Sequence, residues 1–437
     1  MHTNRRRFLL TASALSFGAA GWMRAADAAG TANAFSPIRT KLAQGKDAVL
    51  FINGDSTSYE PNGPYFLFAK AIGEAMDCKV VLHRWGEWEM GKPSGPKQYE
   101  PPVTLRATGR ATLTVYLATL PGASATEMFV NDRRAQAIDA IPLPDCCILH
   151  HGHNMLGAFQ SLPGDRTSLR GWLFAAIGMT SMKWPGVPQV ITNQNPWKRV
   201  DNYKRALESI QAVAALHPSL TLVDSHTAFI TAGLTDDLYR NNDVIHPSDG
   251  PTNHKGAALV AAALMSSWTS AAVDRTFSTP SWPAMPDKGL ADLAELPERK
   301  NVEAARSPDG RTLEVTFRDP EASIGKKFSA DEVAAISGKT ISISALVDVP
   351  PKMRVTGTFH CKCEGEPRVF ILRSGGFTDG RMLLVCAGIK VDADQGGMAV
   401  ELKLSASLVT NEPFVGGPLL IRNVKFTEGG LPKGIGV

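Results

Sequence analysis

The chain has 437 residues, of which 43% are hydrophobic and 20% are charged, and its formal net charge at pH 7 is +4. This composition excludes a mainly disordered chain, a collagen-like chain and a disulfide-dense scaffold. The net charge is too small for the basic footprint of a nucleic-acid-binding protein, so no nucleic-acid partner is expected. At about 150 residues per domain, the length predicts roughly three units, one of which can be a targeting segment.

The first thirty residues predict an export signal. Three arginines at positions 5–7 precede the apolar run 8–22, and residues 26–28 (ADA) fit the small-residue pattern at which signal peptides are cleaved. The run RRRFL also resembles the twin-arginine export signal. We therefore predict a signal peptide over 1–28, of the twin-arginine kind rather than an ordinary secretory one, and a bacterial protein that works in the periplasm or is secreted. No later stretch is long and apolar enough to span a membrane.

Short apolar strands alternate with helical segments between residues 47 and 268. The pattern predicts helices over 64–76, 168–182 and 256–268, a capping box at 124–127, a helix cap at 201, and strands over 47–53, 79–83, 111–120, 146–150, 189–192 and 220–223. Residues 85–108 break the rhythm and are predicted to be an inserted loop. Alternating strands and helices indicate βαβ units, a parallel sheet and helices on both of its faces. No glycine-rich nucleotide-binding loop follows any strand, so no cofactor is expected.

The hydrophobic period changes to two beyond residue 301. Pairs such as Leu313 with Val315 and Leu402 with Leu404 alternate with polar residues, and turn signals separate them. This pattern predicts an all-β sandwich of the jelly-roll kind. We predict an α/β domain over 46–272, a proline-rich linker over 273–300 and a β-sandwich accessory domain over 301–437.

The six cysteines predict one disulfide at most. Cys361 or Cys363 is a candidate to pair with Cys386 across two strands. Cys146 and Cys147 are neighbours in a predicted strand, so their side chains face opposite sides and are expected to be buried small hydrophobes.

Residues able to form a nucleophile, a base and an orienting acid follow strand ends or precede the closing helix. Ser56 lies in Gly54-Asp55-Ser56, directly after the first strand, and Asp243 precedes His246 by three residues. An aspartate in that position can accept from one imidazole nitrogen and leave the other to take a proton from serine. Open parallel sheets bind their ligands at this edge.

Two further residues are candidates to bind an oxyanion together with the Ser56 N–H. Gly122 follows the third strand and precedes a predicted helix start, where a backbone N–H is free to point at an anion. Asn154 follows the fourth strand and offers a side-chain amide. Donors of this kind stabilise the negative charge that develops during acyl transfer.

Together these segments resemble the four blocks of the SGNH hydrolases, also called the GDSL esterase/lipase family, over about residues 46–270. The resemblance implies a three-layer α/β/α fold of flavodoxin-like layering, Ser56 as nucleophile, Asp243 and His246 as the other triad members, and Gly122 and Asn154 as oxyanion donors. It also implies a carboxylic ester hydrolase that needs no metal. Gly152-His153-Asn154 resembles the version found in rhamnogalacturonan acetylesterase-like members, which points to an acylated carbohydrate substrate.

The chain departs from the family pattern in two places. Met155 replaces the aspartate that often follows the third-block asparagine, and Gly122 lies 122 − 56 = 66 residues after the serine because of the insertion at 85–108. His254 is an alternative base, but it has no aspartate three residues before it. Asp224 is an alternative orienting acid.

Histidines and aromatic residues near the predicted site admit other interpretations. His150, His151 and His153 suggest a metal, but no acidic pair completes a ligand set, so none is predicted. Tyr59, Trp85, Trp88 and Tyr99 are candidates to line a substrate groove, although core packing explains them equally well.

The predicted function is therefore an exported serine esterase that hydrolyses O-acyl, chiefly O-acetyl, esters on a carbohydrate. Three alternatives stay open: a polysaccharide O-acetyltransferase, a lipase or lysophospholipase, and an inactive carbohydrate-binding protein. Sugar binding by the C-terminal domain is opposed by its lack of tryptophan and tyrosine, since the last of these are Trp282 and Tyr239. The sequence leaves the oligomeric state undetermined.

Overall fold

A computed structural model describes residues 33–86, 98–129, 133, 135–157, 166–198, 203–217, 220–270, 299–306, 313–319, 322–350, 353–376, 381–408 and 417–428. The predicted signal peptide, Trp88, the predicted cap at Asp201 and nearly all of the predicted linker lie outside these residues.

A seven-stranded sheet organises the N-terminal part of the chain. Its strands are β1 Ala48–Gly54, β2 Lys79–Arg84, β3 Val103–Arg106, β4 Thr112–Thr119, β5 Cys146–His150, β6 Gln189–Asn193 and β7 Leu220–Asp224. The order is β3-β2-β4-β1-β5-β6-β7, and every pairing is parallel except that of the edge strand β3 with β2. From β1 the chain crosses towards β2 on one side of the sheet, whereas from β5 it crosses towards β6 on the other, so the connections diverge between the adjacent strands β1 and β5. Ligands of open α/β sheets bind at such a switch point.

Helices cover both faces of this sheet, as the alternation of β1 side chains requires. The helices are α1 Ser36–Ala43, α2 Pro64–Met76, α3 Asn154–Gly157, α4 Arg166–Lys183, α5 Tyr203–Leu216, α6 His226–Thr231 and α7 Lys255–Thr269. Leu50 and Ile52 pack in one buried cluster with residues of α1, α2 and α7, whereas Phe51 packs in another with residues of α4 and α5. The predicted three-layer α/β/α architecture is confirmed. Helix α1 adds to this unit ahead of the predicted start at residue 46.

Two local predictions in this part differ from the structure. After the predicted capping box Ser124–Glu127 the described residues form a 3₁₀ turn, Glu127–Phe129, a helical residue at Arg133 and a π turn, Ala135–Asp139. Glu127 pairs with Arg133 instead of reaching back to the Ser124 N–H, so the reciprocal cap does not form. The predicted loop at 85–108 contains β3.

The C-terminal part is an antiparallel β-sandwich, as predicted. Its elements are β8 Arg299–Lys300, β9 Val302–Arg306, β10 Leu313–Phe317, β11 Ser323–Lys327, α8 Ala330–Ile336, β12 Thr340–Asp348, β13 Met353–Cys363, β14 Glu366–Gly376, β15 Arg381–Lys390, β16 Glu401–Leu408 and β17 Gly417–Glu428. The strand order is β8-β11-β16-β13-β14-β15-β12-β17-β10-β9. β14 pairs with β13 along its first half and with β15 along its end, so it joins the two halves of the sandwich around one buried core.

Strand β15 is buried on both of its faces. Leu384 and Cys386 belong to the core of the sandwich, whereas Leu383 and Val385 belong to the buried cluster that contains α4. The sandwich therefore covers the outer side of α4.

All six cysteines are buried free thiols, so the candidate pairing of Cys361 or Cys363 with Cys386 is absent. Burial raises the pKa of the Cys363 thiol to about 11. Over the part of the chain that the structure describes, no helix has both the length and the apolar character that crossing a bilayer requires.

Candidate active site

Ser56 opens a single 3₁₀ turn, Ser56–Ser58, directly after the central strand β1. Asp55 caps this turn: its Oδ1 accepts from the Thr57 N–H at 3.0 Å and from the Thr57 hydroxyl at 2.7 Å. Asp55 and Thr57 are buried, whereas Ser56 is partly exposed. The turn therefore presents the Ser56 hydroxyl at the carboxyl edge of the sheet and anchors both of its neighbours below.

His246 and Asp243 complete a hydrogen-bonded chain to this serine. His246 Nε2 lies 2.8 Å from Ser56 Oγ, and His246 Nδ1 lies 2.6 Å from Asp243 Oδ2. The other carboxylate oxygen, Asp243 Oδ1, accepts the backbone N–H of Ile245 at 2.7 Å and that of His246 at 3.0 Å. The structure thus brings together the three residues that the sequence predicts as a triad, across 190 positions.

The protonation of this chain follows from its acceptors. Burial raises the pKa of the Asp243 carboxyl. The N–H groups of Ile245 and His246 and the imidazole lower this pKa by more than burial raises it, so the net pKa is below its ordinary value. An ionised Asp243 can only accept, so His246 Nδ1 carries the hydrogen that lies between them. Nε2 is then the acceptor for the Ser56 hydroxyl, which is the arrangement a general base requires.

The predicted oxyanion donors flank Ser56 because β1 pairs with both β4 and β5. Gly54 is level with Thr119 on one side and with His150 on the other. Gly122 and Asn154 follow those two positions by three and four residues, so their loops end on either side of the Ser56 turn.

The two donor loops are also joined to each other. The Asn154 side-chain amide donates to the Ala123 carbonyl at 3.2 Å, which fixes its orientation, and its second hydrogen has no acceptor among the described residues. Gly122 has φ +76°, a left-handed conformation that favours glycine. Within the described residues the Gly122 N–H donates no hydrogen bond.

A buried polar layer beneath the site was missed by the sequence analysis. The ring of His150 lies 3.0 Å from Thr57 Oγ1 and 2.5 Å from Thr192 Oγ1, that of His151 lies 3.1 Å from Asn53 Oδ1, and that of His153 lies 2.9 Å from the Asn195 carbonyl. Burial lowers the pKa of His150 to about 3 and those of His151 and His153 to about 4, so all three are neutral at pH 7. Nothing in the strand pattern around 146–150 indicated that these rings face protein interior.

The carboxyl of Asp55 lies in the same layer. Burial raises its pKa, and the neighbouring histidines and the Thr57 hydroxyl lower it by more, so that the net pKa lies below the ordinary value. Across the described ranges, no group of three histidine, cysteine, aspartate or glutamate side chains is placed to hold a metal ion.

The other candidates lie outside this arrangement. His254 is exposed and precedes α7, and the carboxylate of Asp224 bonds with Asn193 and Thr227 rather than with His246. Trp85 is fully buried against Tyr99, and Tyr59 is buried with its hydroxyl on the Gly86 carbonyl at 3.2 Å. This burial corrects the prediction that Trp85 and Tyr59 contact substrate, because Trp85 packs in the hydrophobic core and the Arg84 guanidinium covers the Tyr59 ring.

No protein-family model matches the chain, and no curated protein matches it. Several solved structures are similar to parts of it. A peptidoglycan O-acetylesterase is 12% identical at a TM-score of 0.38, over 55% of this chain and 96% of that one. A carbohydrate acetylesterase from Xanthomonas citri is 12% identical at a TM-score of 0.33, over 81% of this chain and 77% of that one.

A xylan-binding domain from Paenibacillus barcinonensis is also similar, with 13% identity and a TM-score of 0.22 over 31% of this chain and 86% of that one. Likenesses at these TM-scores carry no argument about activity. The resemblance to the SGNH hydrolases stands on the four sequence blocks, on the three-layer fold, and on the hydrogen-bonded arrangement of Ser56, His246 and Asp243.

Proposed function

We propose that this protein is a serine esterase that hydrolyses O-acyl esters through a covalent acyl-enzyme. The observation that carries the proposal is the continuous chain from Ser56 Oγ to His246 Nε2, at 2.8 Å, and from His246 Nδ1 to Asp243 Oδ2, at 2.6 Å. It lies at the carboxyl edge of a parallel sheet, where such folds bind their ligands.

In the proposed reaction His246 Nε2 removes the Ser56 hydroxyl proton while Oγ attacks the ester carbonyl carbon. The carbonyl π electrons move to oxygen and form a tetrahedral intermediate. His246 then gives its proton to the departing alkoxide, the C–O bond of the ester breaks, and the acyl group stays on Ser56. A water molecule repeats the sequence, with His246 as base and then as acid, and releases the carboxylic acid.

The oxyanion of both intermediates is assigned to three donors: the backbone N–H groups of Ser56 and Gly122 and the free amide hydrogen of Asn154. In other acyl-transfer sites, one such donor contributes about 3–4 kcal/mol to transition-state binding. Asp243, held by two backbone N–H groups, orients the imidazole and stabilises its charged form.

The preferred substrate is an O-acetylated carbohydrate. The Gly152-His153-Asn154 block and the presence of a second, all-β domain support this class. The same acyl-enzyme could be captured by a sugar hydroxyl instead of water, which would make the protein an acetyltransferase.

The test compares wild type with Ser56→Ala, and uses Ser58→Ala as the matched control. Ser58 lies in the same turn, but its hydroxyl donates to the Asp55 carbonyl at 2.9 Å, whereas the imidazole is bonded to Ser56. We expect wild type and Ser58→Ala to hydrolyse p-nitrophenyl acetate and to be labelled by a fluorophosphonate at one site. Ser56→Ala should lose both, with kcat reduced by roughly 10⁴-fold or more.

The substrate arms of the same assay separate the alternatives. Faster release from octanoate than from acetate favours a lipase, and turnover that needs an added sugar acceptor favours an acetyltransferase. If neither wild type nor Ser56→Ala hydrolyses any of these esters, the esterase proposal is overturned and a binding protein is left.

We also propose that residues 1–28 direct export by the twin-arginine route. The three arginines at 5–7 and the short apolar run behind them support it. Replacement of Arg5 and Arg6 by lysine should retain the protein in the bacterial cytoplasm, and unaltered export of that variant would contradict this route.

A further inference from the structure

One side chain, that of Gln194, lies between the loops that carry the proposed catalytic groups. It follows β6 directly and is fully buried. Its Nε2 donates to Asp55 Oδ2 at 2.8 Å and to Thr57 Oγ1 at 2.9 Å, and its Oε1 accepts the His153 backbone N–H at 2.9 Å. Both amide hydrogens and the amide oxygen are therefore used.

The partners of Gln194 adjoin the reacting groups. Asp55 and Thr57 are the residues on either side of Ser56, and His153 directly precedes Asn154. A single amide thus connects the nucleophile turn after β1 with the oxyanion loop after β5, although it belongs to neither.

The next residues of the same segment hold the loop of the proposed base. Asn195 Nδ2 donates to the Ile245 carbonyl at 2.6 Å, and the Lys198 N–H donates to the Val244 carbonyl at 2.8 Å. Ile245 and Val244 directly precede His246 in the chain. The segment after β6 is consequently bonded to all three functional loops.

Gly152 supplies an independent sign that this amide must fit closely. A Cβ built on Gly152 would lie 2.8 Å from Gln194 Oε1, closer than real Cβ contacts come. The missing side chain at Gly152 therefore has a physical reason: it makes room for the amide that holds the loop.

We propose that Gln194 is a positioning residue that sets the Ser56 turn against the Asn154 loop, and that it acts on turnover rather than on substrate affinity. The inference rests on the proposed function, since it assigns Gln194 to the same site. A glutamate could not replace it, because it would lose both donors and place a second carboxylate against Asp55.

The test uses Gln194→Met, which keeps the length of the side chain and removes its hydrogen bonds. The matched control is Gln189→Met, at the first residue of β6, the strand that Gln194 follows. Gln189 is also buried, but its amide donates to Ser181 Oγ at 2.8 Å and to the Ile177 carbonyl at 3.2 Å, away from the site. Both variants lose buried hydrogen bonds, so the unfolding midpoint should fall in both, and further in Gln194→Met because the buried Asp55 carboxylate loses a donor.

Only Gln194→Met should lower kcat while it leaves KM nearly unchanged. We expect kcat for p-nitrophenyl acetate to fall about 100-fold with KM within about threefold, as for a displacement of reacting groups by about 1 Å. Gln189→Met should keep kcat within about threefold. Equal kcat losses in the two variants would assign Gln194 a merely structural role.

Crystal structures of the two variants provide a readout that does not depend on esterase activity. In Gln194→Met the separation of Ser56 Oγ from Asn154 Nδ2 should change by about 1 Å relative to wild type, and in Gln189→Met it should not. An unchanged separation in Gln194→Met overturns the positioning role. Absence of hydrolysis by wild type would instead refute the proposed function, and the structures would still decide this inference.

Discussion

The two carboxylate oxygens of Asp243 have different partners, and this difference makes the residue hard to replace. Oδ1 accepts two backbone N–H groups, and Oδ2 accepts the hydrogen on His246 Nδ1. In Asp243→Asn the amide oxygen must take the position that faces the two backbone donors. The NH₂ group then points at Nδ1, which has to become an acceptor, and the hydrogen of the ring moves to Nε2.

Asp243→Asn should therefore fold normally and lose kcat by roughly 10³–10⁴-fold, because Nε2 can no longer take the Ser56 proton. Steady-state kinetics and a thermal unfolding curve of the same sample check this expectation. Asp224→Asn is the control: it removes the other candidate carboxylate, which bonds with Thr227, and should keep wild-type kcat. A larger loss in Asp224→Asn than in Asp243→Asn would reverse the assignment of the orienting acid.

Residues of the candidate triad were predictable because their signals are local. Ser56 directly follows an apolar strand, and Asp243 precedes His246 by three residues. Gln194 was not predictable in this way, because its partners at 55, 57 and 153 come from two other loops. The run Asn193-Gln194-Asn195 is typical of a solvated loop, and only the folded structure shows that Gln194 is buried.

The end of β5 places three neutral histidines in the protein interior, with a consequence for stability. Their folded-state pKa values are about 3 for His150 and about 4 for His151 and His153, against 6.5 for a solvated imidazole. The unfolded chain therefore binds nearly three more protons than the folded one near pH 5. The stabilisation is complete above pH 6.5 and is lost as the pH falls towards 4.

We expect the free energy of unfolding to fall by about 3 kcal/mol per pH unit between pH 6 and pH 4, since each extra proton on the unfolded chain contributes about 1.4 kcal/mol per unit. Urea unfolding at a series of pH values measures this slope. His254→Gln, at an exposed position, should reproduce the wild-type slope. A flat profile from pH 7 to pH 5 would show that the buried rings are already charged in the folded protein.

Elements with a strong apolar pattern were predicted closely, and those without one were not. Strand β5 and helix α2 have the predicted bounds, because a continuous apolar run and a proline at the first helical position are strong signals. Strand β3 is an edge strand whose four residues are exposed or half-buried, so it carries no hydrophobic signal. Helix α7, Lys255–Thr269, extends the predicted span 256–268 by one residue at each end.

At the scale of the whole molecule, the two domains share buried surface through α4 and β15. Leu383 and Val385 of the sandwich are fully buried in the cluster that contains α4 residues such as Leu173 and Ile177. The sequence could not predict this contact, because β15 alternates its side chains between two cores and its apolar run is equally typical of a strand inside a single sheet.

Val385→Asp should lower the free energy of unfolding by roughly 3 kcal/mol or more, because it places an unpaired carboxylate in that cluster. Val369→Asp is the matched control: Val369 lies on the adjacent strand β14 but is 46% exposed, so its replacement should be nearly neutral. Chemical denaturation with both variants measures the difference. Similar midpoints for the two would mean that the sandwich and α4 separate freely in solution.

Because β1 is central in the sheet, the geometry of the candidate active site depends on the same strand pairings that hold the folded domain together. The Ser56 turn directly follows β1, which is hydrogen-bonded to a neighbouring strand on each edge. The two neighbouring strands lead into the loops of Gly122 and Asn154. Ser56, Gly122 and Asn154 therefore cannot separate unless the pairing of β1 with β4 or with β5 is lost. Heating should therefore leave the protein fully competent up to its melting transition, and inactivation and melting should trace one curve.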